Sequence, residues 1–136
     1  MTLKEIDAGL PNGFHDAEIR SFAVDYEKRK LTINLSVWLG NESDPGAHRL
    51  AEVVIEDLWF TTLDSSDTTY VQHDQCPTLD CAEDSGDWTI PALERLPKGF
   101  FASRMYVWEW CSMIYVAGRT ASLVWKGEVY ERWPEP

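Results

Sequence analysis

The stretch "LTINLSVWL" (residues 31–39) decides the fold. Apolar side chains occupy every second position, Leu31, Ile33, Leu35, Val37 and Leu39, while Thr32, Asn34 and Ser36 take the alternate ones together with Trp38. Successive side chains in a strand point to opposite faces, so a period of two marks a half-buried β-strand. The preceding run alternates as well, at Phe22, Val24 and Tyr26, and polar "EKRK" (27–30) separates the two. Two such runs across a short polar link predict an antiparallel hairpin. Between Ile19 and Phe22 the alternation slips by one residue, which predicts a bulge near Ser21.

On the N-terminal side, Thr2 and Glu5 have capping-box spacing and Gly9 can end a short helix. "LPNG" (10–13) is then a turn. On the C-terminal side, "GNESDPG" (40–46) is a loop, and "HRLAEVVIEDLWF" (48–60) is a third strand in which Ala51, Val53 and Ile55 interleave with Glu52, Val54 and Glu56. Residues 61–87, rich in Thr, Ser and Asp, read as a long irregular excursion with a short strand near "TYVQ" (69–72). "WTIPALERLPKG" (88–99) holds two prolines and has room for one turn of helix. "FASRMYVWEWCSMIYV" (101–116) is apolar on both faces, as in a strand buried on both sides or one that offers a face to a second copy in a homodimer. "AGRT" (117–120) is its turn. "ASLVWKGEVYERW" (121–133) alternates again, with Ala121, Leu123, Trp125, Val129 and Trp133 toward a core and Val124, Lys126, Glu128, Tyr130 and Arg132 facing out.

The whole is mainly β. An antiparallel twisted sheet forming a sandwich or partly open barrel, with one short N-terminal helix, is the expected architecture. The 136 residues make a single domain, 1–136. A chain of this length buries roughly 65–70% of its unfolded surface, enough for a core without covalent staples. The N-terminus "MTLKEIDAGL" lacks the apolar stretch of a secretory signal, and no apolar run approaches the ~20 residues of a membrane span. The three cysteines read as reduced thiols of a cytoplasmic protein.

Charge is the strongest compositional signal. The net charge is −11, and its distribution is uneven. Residues 50–94 contain eleven acids, Glu52, Glu56, Asp57, Asp64, Asp67, Asp74, Asp80, Glu83, Asp84, Asp87 and Glu94, and no Lys or Arg. The remainder holds twelve acids and twelve bases, so the block carries the whole net charge. A nucleic-acid partner needs clustered Lys and Arg and is not expected. A basic protein partner or a cation is.

Four constellations have residue types suited to chemistry. "GFHDAEI" (13–19) sets His15 beside Asp16, with Glu18 two places on, the types found in a metal site or a hydrolase. The turn before it lets Asp16 accept backbone N–H bonds and His15 pack over a strand end, so we read it as a strand entry. His73, Cys76 and Cys81 have near-zinc spacing but no evident fourth ligand. "DSSD" (64–67) and "EDSGD" (83–87) carry oxygen ligands without matching the calcium-loop pattern, and read as Asx or Ser turns. Glu109 between Trp108 and Trp110 has neighbours that can raise a carboxyl pKa, but its side chain alternates to the opposite face and reads as an ion-pair partner for a neighbouring Arg or Lys. No sequence signature calls for a cofactor. Of the seven tryptophans, Trp38 alone sits on the polar face of its strand, either as an interface anchor or covered by a neighbouring segment.

Two segments carry a resemblance. "GFHDAEIRSFAVDYEKRKLTINLSVW" resembles the opening of small bacterial β-rich proteins of unknown biochemistry, and "WEWCSMIYVAGRTASLVW" resembles their closing hairpin, with Cys111 where a polar residue such as Asn is expected. Some of these proteins are held to be immunity proteins of polymorphic toxin systems, which cover a basic toxin with an acidic surface. The resemblance brings no catalytic residue with it. Taken with the base-free block, it points to a non-enzymatic module that docks a basic protein through the 50–94 segment, with Trp59 and Trp88 as anchors and Asp64, Asp67, Asp74 and Asp80 as charge contacts. The competing expectation is a small metal-binding protein or hydrolase using His15, Asp16 and Glu18.

Overall fold

A computed structural model describes residues 1–63, 76–84 and 91–132. Two short helices, α1 (Leu3–Gly9) and α2 (Pro91–Glu94), accompany eight strands. The strands are β1 (Glu18–Asp25), β2 (Lys30–Trp38), β3 (Ala47–Glu56), β4 (Phe60–Leu63), β5 (Leu79–Asp84), β6 (Phe101–Val107), β7 (Ser112–Gly118) and β8 (Thr120–Glu131). They form two antiparallel four-stranded sheets, ordered β1-β2-β3-β8 and β4-β7-β6-β5. The expected mainly β architecture and N-terminal helix are present, and among the described residues the sheets do not close into a barrel. No helix of the described residues is long and apolar enough to cross a membrane.

The deciding stretch is β2. It pairs with β1 in the register Phe22↔Ile33 and Val24↔Leu31, and the predicted bulge lies between Ile19 and Ser21. Its inward side chains Leu31, Ile33, Leu35 and Val37 are at most 2% exposed. Full burial of one such side chain stabilises by about 1.5–3 kcal/mol. Tyr26, assigned to the alternating run, lies in the turn and is exposed. There the Asp25 carboxylate accepts the Lys28 N–H at 3.0 Å. Helix α1 starts as read, with the Thr2 hydroxyl accepting the Glu5 N–H at 3.1 Å.

Further sequence assignments are corrected. Residues 48–60 are not one strand. β3 ends at Glu56, Asp57 takes φ +49°, and the chain passes into the second sheet as β4. Residues 101–116 are not one strand either. β6 and β7 are a hairpin closed by Trp108–Cys111, in which the Cys111 N–H donates to the Trp108 carbonyl at 3.2 Å and Cys111 takes φ +46°. Lastly, 117–120 does not turn a hairpin. β7 and β8 belong to different sheets, so the chain crosses between them at Arg119. Val129, assigned to the core, is 52% exposed, in the stretch of β8 whose pairing with β3 is irregular. Trp133 and the strand expected at 69–72 fall outside the described residues.

The two crossings are neighbours. The Arg119 N–H donates to the Glu56 carbonyl at 3.1 Å, and the Arg119 guanidinium pairs with Asp57 at 2.7 Å. One hydrophobic cluster joins the inner faces of both sheets, with Leu3 and Ile6 of α1 and Phe14 closing an end. A smaller one, Leu93 with Ala102 and Ala117, lies under α2 with Phe60 and Leu96 against it. On the outer face of the central strands β6 and β7, Ala102 and Ala117 are packed within the chain, while Trp108 in the turn between them is 47% exposed.

Candidate functional site at the acidic surface around β5

β5 is an edge strand paired with β6, and its sequence LDCAED is poor in strand-forming residues. Helix α1 and the turn before β1 lie against it. The Asp16 N–H donates to the Leu79 carbonyl at 2.9 Å and the Leu79 N–H to the Ala17 carbonyl at 2.8 Å. Gly13, at φ +59°, permits the turn, and a Cβ there would meet the Asp7 carboxylate at 2.6 Å. That carboxylate accepts the Phe14 N–H at 2.7 Å. Asn12 donates its amide to the carbonyls of Gly40 at 2.8 Å and Trp38 at 3.3 Å.

Asp7, Asp16, Asp80, Glu83 and Asp84 are thereby gathered around one strand. His15 stands between two of them, its Nδ1 3.4 Å from Asp80 and its Nε2 3.6 Å from Asp16. Glu18 does not join. Its carboxylate, mostly buried, is held by Arg132 and lies 3.8 Å from Arg20. Asp16 takes φ +59° and is outside the strand, so the alternation that would align it with Glu18 does not apply. Among the described residues no group of three His, Cys, Asp or Glu side chains is placed to hold a metal ion.

Cys76 and Cys81 are free thiols, and His73 is outside the described residues. Burial pushes the Cys81 thiol above its ordinary pKa, and Asp80, Glu83 and Asp7 push it further. A thiol so raised is a poor thiolate ligand at neutral pH. Glu109 finds neither Arg nor Lys. Its carboxylate accepts the Thr78 N–H at 2.6 Å and the Thr78 hydroxyl at 2.7 Å, tying the β6–β7 turn to the entry of β5. Trp38 is covered. Its indole N–H donates to the Pro45 carbonyl at 2.8 Å, and the ring fills the space a Cβ on Gly40 would need.

Of the expected partner-binding residues, Trp59 and Asp80 are described. Trp59 donates its indole N–H to the Ala92 carbonyl at 2.9 Å, meets Phe100 edge-on and keeps 38% of its surface exposed. Asp64, Asp67, Asp74 and Trp88, with the "DSSD" turn at 64–67 and most of "EDSGD", lie outside the described residues. Sequence reading missed the cations that answer the acidic block from elsewhere in the chain. Arg104 pairs with Glu83 at 3.1 Å, Lys4 with Asp84 at 3.7 Å and Arg119 with Asp57. None had a local sequence signal, and the structure sets Arg104 and Glu83 opposite each other in the β5–β6 register.

Compared with protein-family models, with curated proteins and with solved structures, the chain matches none.

Proposed function

We propose that the chain is a non-enzymatic, acidic protein-binding module of a reducing, cytoplasmic setting. It docks a basic protein partner through the 50–94 segment, and an immunity protein that neutralises a basic toxin is the role this charge pattern fits best. Asp64, Asp67, Asp74 and Asp80 supply charge contacts, and Trp59 and Trp88 supply apolar anchors.

The observation that carries the proposal is the block of eleven acids without a base. Among the described residues three of its acids pair with cations from elsewhere in the chain, Asp84 with Lys4, Glu83 with Arg104 and Asp57 with Arg119. The Lys4–Asp84 and Arg104–Glu83 pairs join well-exposed side chains, and such pairs contribute little and are readily exchanged. A surface with that surplus accelerates encounter with a basic partner and rejects acidic ones. The exposed part of Trp59 sits beside α2, within the same segment.

Substituting Asp64, Asp67, Asp74 and Asp80 together by Asn tests the proposal. Affinity for the basic partner falls and its salt dependence flattens. Unchanged affinity in that variant contradicts it.

A further inference from the structure

The outer face of the β1-β2-β3-β8 sheet carries a groove of about 580 Å³ lined chiefly by Arg20, Asn34, Leu50, Lys126 and Tyr130. That volume lies within the range of small-ligand sites. Two irregularities of the sheet shape it. The bulge between Ile19 and Ser21 brings Arg20 to the groove from the β1 edge. On the β8 edge, the irregular pairing opposite His48 and Leu50, with Gly127 at φ +67°, sets Lys126 level with Leu50 and Tyr130 level with His48. Bulges often re-aim side chains next to functional sites.

The walls are held before any ligand arrives. Tyr130 shares a hydrogen bond with Ser36, reaching across β3. Asn34 donates to the Ser21 hydroxyl at 2.7 Å. The single Glu18 carboxylate lies between Arg132 and Arg20, so two guanidiniums share one negative charge. Among the described residues no carboxylate lies within salt-bridge distance of Lys126. Glu52, level with Asn34 and Val124, and Glu56, level with Thr120, are further acids on this face, and Glu128 lies in the irregular stretch of β8, but the lining of the groove itself holds Arg20 and Lys126 and no carboxylate. Leu50 is 42% exposed and Val124 46%, so apolar surface lies open beside the cations.

In a chain of net charge −11, a concave site with surplus cations runs against the overall field. We propose that this groove binds a small organic anion. Arg20 and Lys126 take the acidic headgroup, Tyr130 adds a hydroxyl contact, and Leu50 with Val124 receives an apolar body. The groove takes Leu50 and Ala51 from the first residues of the 50–94 segment, but its ligand does not rest on the basic partner proposed for that segment.

The test is an amide chemical-shift titration of the full chain with 4-phenylbutyrate, beside its neutral counterpart 4-phenyl-1-butanol. The expected result is saturable shifts at Arg20, Asn34, Leu50 and Lys126 with the anion and binding about tenfold weaker with the alcohol, the loss of one charge-assisted contact. Lys126→Met and Arg20→Met each weaken the anion by a similar factor while amides of the β6–β7 hairpin keep their positions. Absence of saturation, shifts confined to other surfaces, or equal binding of acid and alcohol overturns the proposal. The comparison of the two probes on the unaltered chain decides even if a variant fails to fold.

Discussion

The Cγ2 methyl of Ile55 lies 2.5 Å from where a Cβ on Gly118 would stand, with the Glu56 carbonyl at 3.2 Å. Ile55 is fully buried and β-branched, so its methyl has little room to swing aside. The two passages between the sheets therefore run as close as they do because residue 118 lacks a side chain. Gly118→Ala is expected to cost about 1–3 kcal/mol by overpacking, seen as a lower urea midpoint with an unchanged slope. A variant as stable as the parent contradicts this account of the crossing.

Glu109 is a structural carboxylate. Removing it leaves the Thr78 N–H and hydroxyl without their acceptor in a half-buried place. Glu109→Ala is expected to lower stability by about 1–3 kcal/mol, and Thr78→Val in the same background to add little, because the two residues act as one unit. A double-mutant cycle by chemical unfolding measures both. Fully additive losses contradict the coupling.

The Ser103 hydroxyl is buried on the core-facing side of β6 and has no hydrogen-bond partner among the described residues. Ser103→Ala removes an uncompensated polar group at almost constant volume. It is expected to raise stability by up to about 1 kcal/mol, read as a rise in Tm. A fall in Tm contradicts the assignment of that hydroxyl as unsatisfied.

The thiols differ in reactivity. Burial and the carboxylates of Asp80, Glu83 and Asp7 raise the Cys81 pKa, so its thiolate is scarce at pH 8. Cys111 is exposed in the β6–β7 turn. Iodoacetamide at pH 8, followed by intact mass and peptide mapping, is expected to label Cys111 first. Asp80→Asn removes one of the charges that raise Cys81, lowers its pKa and quickens its labelling by a factor of about two to five. Burial, the first cause, remains, so the order of the two thiols is kept. Cys81 labelling ahead of Cys111 in the parent protein contradicts this.

What the sequence made legible follows from strand period. β2 shows itself through Leu31, Ile33, Leu35 and Val37, and the bulge near Ser21 through one slipped position, because a single face of that sheet is buried. The hairpin within 101–116 stayed hidden because its turn, Trp108 to Cys111, contains no Gly, Pro, Asn or Asp, and because β6 and β7 carry apolar residues on both faces. β5 stayed hidden because Asp80, Glu83 and Asp84 read as loop, and it is pairing with β6 that makes them a strand. At the candidate site, the surplus of acids in 50–94 was plain. The turning of Glu18 away from His15 was not, since it depends on Arg132, which is 114 positions along the chain. Of the groove on the opposite sheet only the bulge near Ser21 had a sequence signal, and the second register shift, between β3 and β8, had none.

The measurement that bears most directly on the proposed function is capture of proteins from a lysate of the source organism. The parent chain and the variant with Asn at 64, 67, 74 and 80 are run side by side at low and high salt, and retained proteins are identified by mass spectrometry. The expected result is one basic protein held by the parent at low salt, released by high salt and lost from the variant, whose own activity is inhibited when the parent chain is added back. Retention of the same protein by both chains at both salts, or no basic protein held by the parent, contradicts an acidic docking surface.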